Sequence, residues 1–285
     1  MKKTSLLAII LLAAVSSGFG QKVTLRLGGG WESVTGGDLA AGIQGQSDYL
    51  AATYAVSGTY KAPRAGWIAD GEIIIHLSPR LGVGLGAGYL QHVQTSQVTY
   101  TVSSIATTEK ITPDIRVVPI TLNLHYLLPV SNRLRIDISA GAGYYLTNWS
   151  WIYRMDLSLS GYSGYEEYAF KATKGAFGFQ GGLNLEYALA ENFAFVLGVT
   201  GRYASIDKFL GAWTDKGGGD FWEFNDAGSD HFAWYYDWMV GGRTFGQLTF
   251  QPSQPAGSTT SSARYAKVDL TGLAVTAGFK IGFGR

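Results

Sequence analysis

From Leu134 to Leu146 every second residue is apolar: Leu134, Ile136, Ile138, Ala140, Ala142, Tyr144 and Leu146. Between them stand Arg135, Asp137, Ser139, Gly141, Gly143 and Tyr145. Successive side chains of a strand point to opposite faces, so one face here is greasy and the other carries charges and glycines. Similar alternation recurs along the chain in periods of about ten residues, the length of a tilted strand that crosses a bilayer. The pattern predicts eight strands, near Val23–Ser33, Trp67–Leu77, Leu81–Leu90, Arg116–Leu128, Leu134–Thr147, Ala176–Leu189, Phe193–Tyr203 and Val268–Phe283.

Three short polar stretches separate strands: Ser78-Pro79-Arg80, Val130-Ser131-Asn132-Arg133 and Ala190-Glu191-Asn192. Each is flanked by alternating segments, as a hairpin turn is. Much longer segments join the other strand ends. Short turns at one end and long loops at the other describe an all-β, eight-stranded antiparallel up-and-down transmembrane β-barrel with long extracellular loops.

The face assigned to lipid includes Val23, Leu25 and Leu27; Ile73, Ile75 and Leu77; Leu81, Val83 and Leu85; and Ile120, Leu122, Leu124 and Tyr126. It continues through Phe177, Phe179, Leu183, Leu185, Phe195, Leu197, Val199, Leu273, Val275, Phe279 and Ile281. Two aromatic girdles are expected, one of Trp31, Trp67, Tyr89, Tyr144, Trp149 and Tyr203, the other of Tyr126, Tyr187, Phe193 and Phe283. The opposite face collects Arg26, Asp70, Glu72, His125, Arg135, Asp137, Glu186, Arg202 and Lys280, together with Glu32. Buried charges need partners, so these residues are expected to form an interior network with Thr121, Asn123, Gln180 and Asn184. Glycines at 82, 84, 86 and 88 also face inward and leave one wall bare, which keeps a passage open as an alternative to a plug. Alternation alone fits a soluble β-sandwich or lipocalin-like barrel as well.

The amino-terminal residues favour the membrane. Lys2 and Lys3 precede the apolar run Leu6–Val15, and small residues follow to Gly20, so residues 1–20 read as a secretory signal peptide cleaved before Gln21. Residues 21–285 then form one outer-membrane β-barrel domain. The run is too short for a spanning helix. Gly71–Leu90 (GEIIIHLSPRLGVGLGAGYL), Val118–Leu146 and the closing LAVTAGFKIGFGR resemble small bacterial outer-membrane barrels of the OmpA/OmpX/OmpW type. The resemblance implies a bacterial outer-membrane location, outer-membrane lipid as solvent and the outer-membrane assembly machinery as partner.

Composition narrows the chemistry. Only 15% of residues are charged and the net charge is +1, which gives no support to nucleic-acid binding. Cysteine is absent, so there is no disulfide framework and no thiolate site. No cofactor, metal or catalytic constellation is expected. His76 and His125 fall on the inward face, His92 lies near the outer end of its strand without a nearby ligand, and Asp230-His231 offers a base beside a carboxylate without supporting spacing.

The long segment from Ala204 to Lys267 is rich in rings. Trp213, Trp222, Trp234, Tyr235, Tyr236 and Trp238 are the candidate loop interaction surface for an extracellular ligand of unknown identity; the alternative is that these rings pack on one another, extend the barrel outward or rest on the lipid headgroups. The first loop, with Tyr49–Val56, and the Tyr-rich stretch Asp156–Lys174 lie on the same side. The leading expectation is a monomeric, non-enzymatic barrel with a structural or surface-interaction role. A narrow pore or transporter for ions or small, even apolar, molecules is the second, and an outer-membrane hydrolase the third.

Overall fold

The computed structural model describes residues 22–283. Met1–Gly20, read as a signal, lies outside the described residues. The elements begin with β1 (Val23–Val34), α1 (Gly37–Thr53), β2 (Ser57–Gly58), β3 (Ala65–His76), β4 (Leu81–Val93) and β5 (Ser96–Val102). Three long strands follow, β6 (Ile105–Pro129), β7 (Leu134–Leu159) and β8 (Tyr162–Ala190), then β9 (Phe193–Tyr203) and β10 (Ser205–Ile206). The last are β11 (Leu210–Gly219), β12 (Trp222–Val240), β13 (Arg243–Gln251), β14 (Thr260–Tyr265), β15 (Val268–Asp269) and β16 (Gly272–Phe283).

Antiparallel pairing runs β1–β3–β4–β6–β7–β8–β9–β16 and returns from β16 to β1, where Val23 to Val34 oppose Phe283 to Gly272. Each of these strands overlaps a segment where the alternation predicts one, but the described residues form sixteen strands in all, and β6, β7 and β8 run far past the predicted ends. The turns use one device twice. Ser78 Oγ accepts from the Arg80 and Leu81 amides, and Ser131 Oγ accepts from the Arg133 and Leu134 amides. A serine hydroxyl that caps its own turn fixes the hairpin register.

The polarity of this ring is inverted relative to a soluble protein. On β6, Leu122 is 59% exposed while its neighbour Asn123 is 4% exposed. Leu27, Leu85, Phe177, Phe179, Leu183, Leu197 and Leu273 lie exposed around the same belt. At roughly 1.5–3 kcal/mol per large apolar side chain, such a belt in water would forfeit more than the 5–15 kcal/mol that holds a typical domain together. Its solvent is therefore hydrocarbon. Two members of the expected face depart from it. Val23, at the strand end, is buried, and Trp149 is fully buried instead of sitting in a girdle. The β6–β7 and β7–β8 registers run unbroken through residue 149, so Trp149 keeps the inward parity of Asp137 and Tyr145.

Beyond the belt the polarity switches. On the inward side of β6, Thr121, Asn123 and His125 give way to Val117, Ile115 and Ile111, all buried. On the outward side, the apolar residues from Val118 to Tyr126 give way to exposed Arg116 and Lys110. The long-loop half thus has an ordinary apolar core, of Leu39, Ile43, Leu90, Ile111, Ile115, Val117, Trp149, Phe170 and Phe209.

The segment from Ala204 to Lys267, expected as a long loop, is mostly strand. β11 continues the edge of β8 beyond β9, and β12, β13 and β14 add to it. On the other flank β5 continues the edge of β6 beyond β4, and β2 adds to β5. The resulting head is a curled sheet, and α1 lies against the free edge of β13. A Cβ at Gly45 would fall within the Gly246 backbone, so glycine lets the helix touch the strand edge directly. The amino-terminal end of α1 is tied by Asp38, which accepts from Arg264 at 2.7 Å and from the Lys267 amide at 3.2 Å. A carboxylate in the first turn also complements the helix dipole.

Candidate functional site

The inward charges of seven ring strands gather in three paired groups. In the first, Arg26 on β1 pairs with Glu72 on β3 at 2.7 Å and approaches Asp70 at 4.0 Å. His125 on β6 lies 3.0 Å from Glu72 through Nε2 and 3.0 Å from Asp137 on β7 through Nδ1. Asn123 donates to Glu72 at 2.7 Å, Gln180 on β8 donates to Asn123 at 3.0 Å, and the Tyr145 hydroxyl donates to Gln180 at 3.3 Å. Below it, Lys280 on β16 pairs with Glu186 on β8 at 2.5 Å.

The third group lies nearer the head. Arg202 on β9 pairs with Glu32 on β1, and His92 Nε2 stands 3.5 Å from the same carboxylate. Sequence reasoning put His92 at a strand end without a partner. Its partner is 60 residues away and depends on the register of β1, β3 and β4, which no local spacing reveals. His76 contacts Thr24 Oγ1 at 2.8 Å.

Over residues 82–88, β4 supplies space instead of inward side chains. A Cβ at Gly84 would strike Glu72 and His125, so the glycine wall is filled by long residues from the flanking strands β3 and β6. What remains between Arg26, Asp70, Asn184 and Arg202 is a chamber of about 50 Å³, enough for a few water molecules. Arg135 is not drawn into the network. It is exposed, and lines a vestibule of about 650 Å³ at the short-turn end together with Arg80 and Arg133. Two residues past its turn, it meets solvent before it meets the lumen.

The rings of the head mostly pack on one another. Trp234 and Tyr235 are buried, Trp213, Tyr236 and Trp238 are half-buried, and Trp222 is exposed. Trp234 stacks on Tyr265 at 4.4 Å, and Trp238 meets Tyr49 of α1 at 4.7 Å. Two of the six rings are thus buried, where both faces of β12 are covered at Ala233–Tyr235, and the other four keep exposed area. His231 stacks on Trp213 at 4.4 Å, and its Nδ1 lies 3.0 Å from the Tyr168 hydroxyl. The neighbouring Asp230 accepts from the Trp213 indole N–H instead of orienting His231.

Sequence reasoning missed a buried carboxylate in the head. Glu109 accepts from the Tyr60 hydroxyl at 2.5 Å and from the Tyr100 hydroxyl. Burial, and then Glu109 itself, raises the pKa of both phenols well above the ordinary tyrosine value, so they stay protonated donors. Beside Tyr60 a partly open cavity of about 280 Å³ lies between α1, β13 and the inner faces of β6, β7 and β8. The signal was present in the inward positions of β6, where Glu109 falls among isoleucines.

Comparison with known proteins adds the family. No curated protein matches. The chain resembles, in fold only, a major outer membrane protein from Thermus thermophilus, at 12% identity and a TM-score of 0.37, covering 93% of this chain and 100% of that one. The outer membrane protease OmpT from Escherichia coli matches at 9% identity and a TM-score of 0.32, over 92% and 96% of the two chains. A Pseudomonas aeruginosa FadL homologue matches at 6% identity and a TM-score of 0.18, over 92% and 90%. The family model of the outer membrane protein beta-barrel domain matches residues 4–228, and the chain belongs to that family.

Proposed function

We propose that this protein is a non-enzymatic, monomeric outer-membrane platform. It is an eight-stranded up-and-down transmembrane barrel with a sealed lumen, and it carries its long-loop head outside the cell for a structural or surface-interaction role. As a family member it belongs to the bacterial outer membrane. The observation that carries the sealed lumen is how little space the inward side chains leave, a chamber of about 50 Å³, with Arg26 and Glu72, His125 and Asp137, and Lys280 and Glu186 paired between neighbouring or next-neighbouring strands around it. Ion pairs made in a low-dielectric interior hold neighbouring walls together and leave no mobile charge to escort an ion.

The second reading, a narrow pore, is favoured by the vestibule that reaches Lys280 and Glu186 from the short-turn end. Planar-bilayer recording separates the two. The sealed barrel gives no reproducible single-channel steps, and steps of constant size would overturn it. The hydrolase reading has the least support, since Asp230 faces Trp213 and not His231.

A further inference from the structure

We propose that the head binds a small uncharged amphiphile, an aromatic or fused-ring molecule with one hydrogen-bond acceptor, in the cavity between α1, β13 and the inner faces of β6, β7 and β8. The inference rests on reading the head as the recognition end, and it supplies the ligand class and the site.

Chemistry selects the class. The cavity walls carry the rings of Tyr60, Trp151, Tyr153, Tyr168 and Phe250, with Ile43, Ile111 and Leu248 among them, and no charged side chain. A charged guest would lose its hydration there without a counter-ion. Volume sets the size. About 280 Å³ is at the small end of ligand pockets and suits a one- or two-ring molecule.

Gln247 sets the polar requirement. It is 5% exposed and lines the cavity, and its Nε2, enclosed in the wall, has no hydrogen-bond partner among the described residues, so a guest meets that donor through a turn of the amide about its soft terminal torsion. A buried amide donor left unpaired is costly, and a carbonyl oxygen on a guest would pair it. The wall is held in place from outside the cavity. Glu109 fixes Tyr60, and Tyr168 is held between His231 and the Phe250 carbonyl. Gln46, Tyr168 and Thr249 are half-buried, so the cavity communicates with solvent on the head side.

The test uses 6-fluorocoumarin, a neutral two-ring lactone whose carbonyl can accept from Gln247. Its 19F NMR signal is followed in lipid nanodiscs holding the full chain, with empty nanodiscs to subtract partition into lipid. The expected result is saturable binding with a dissociation constant of about 1 mM or tighter. Gln247→Met keeps the length of the side chain but removes the donor, and weakens binding roughly three- to tenfold. Thr249→Phe fills the cavity and abolishes it. Each variant is scored only after its gel mobility, boiled and unboiled, matches the parent, and either one suffices. Absence of saturable binding above empty nanodiscs overturns the proposal, as does equal affinity in the variants. Neither substitution touches the lumen. A barrel that conducts but binds the probe therefore overturns the sealed lumen alone, and one that neither conducts nor binds overturns the ligand site alone.

Discussion

Lys280 and Glu186 meet at 2.5 Å inside the ring, both nearly solvent-free. Their mutual attraction offsets a desolvation cost that neither could bear alone. Lys280→Met leaves Glu186 buried without a counter-charge, and the expected loss is about 3–5 kcal/mol in urea unfolding from lipid vesicles. Adding Glu186→Leu to the same chain restores most of it, because the pair and not the lysine is what the interior requires. At this scale the alternation was a good guide to which side chains turn inward. Glu72, His125 and Asp137 are legible because a strand with no bulge has no other place to put them. Which inward residues meet is a different matter. The contact between His92 and Glu32 follows from cross-strand register, and Arg135 keeps the right parity but sits too near the turn to be enclosed.

Among the elements, α1 and the strands of the head were the hardest to read. Leu39, Ile43 and Leu50 have helical spacing and are all buried, but Gly37, Gly42 and Gly45 among them lower helix propensity and mask the signal. Gly42 and Gly45 serve contact, while Gly37 takes a left-handed backbone at φ 59°. Gly45→Ala places a methyl group in the Gly246 backbone and lifts α1 from the β13 edge. Limited proteolysis in nanodiscs is expected to cut within Gly37–Thr53 at least several-fold faster in this variant, with the cleavage site read by mass spectrometry. An uncovered β13 would also present free backbone groups to other chains. The strands β11 to β13 escaped notice because Gly217-Gly218-Gly219 reads as loop, and because the partner that orders β11 is the remote upper half of β8. Within β6, β7 and β8 the reversal of polarity was written in the sequence, but it shows only when both parities are followed past the point where lipid ends.

Taken whole, the molecule has an outside that changes solvent part-way along its length. Trp31 and Trp67 face outward at the upper rim of the apolar belt, while Trp149 and Trp151 lie inside the head. In vesicles of brominated lipid, a variant retaining only Trp31 and Trp67 is expected to lose most of its fluorescence. One retaining only Trp149 and Trp151 is expected to lose little. Equal quenching of the two would contradict the placement of the bilayer. The apolar belt was the most legible feature of the chain, since ten-residue alternation and three short turns place its strands and set their direction.

The length of β8 has a spatial consequence. Its upper part, from Tyr162 to Lys174, stands beyond the apolar belt and pairs with β7 along its whole course. At about 3.3 Å per residue and a tilt near 40°, this stretch rises roughly 30 Å above the hydrocarbon. Three continuous strands therefore act as a mast whose foot is locked in the membrane and whose top stands above the lipid headgroups. Anything that touches that top does so well clear of the bilayer surface.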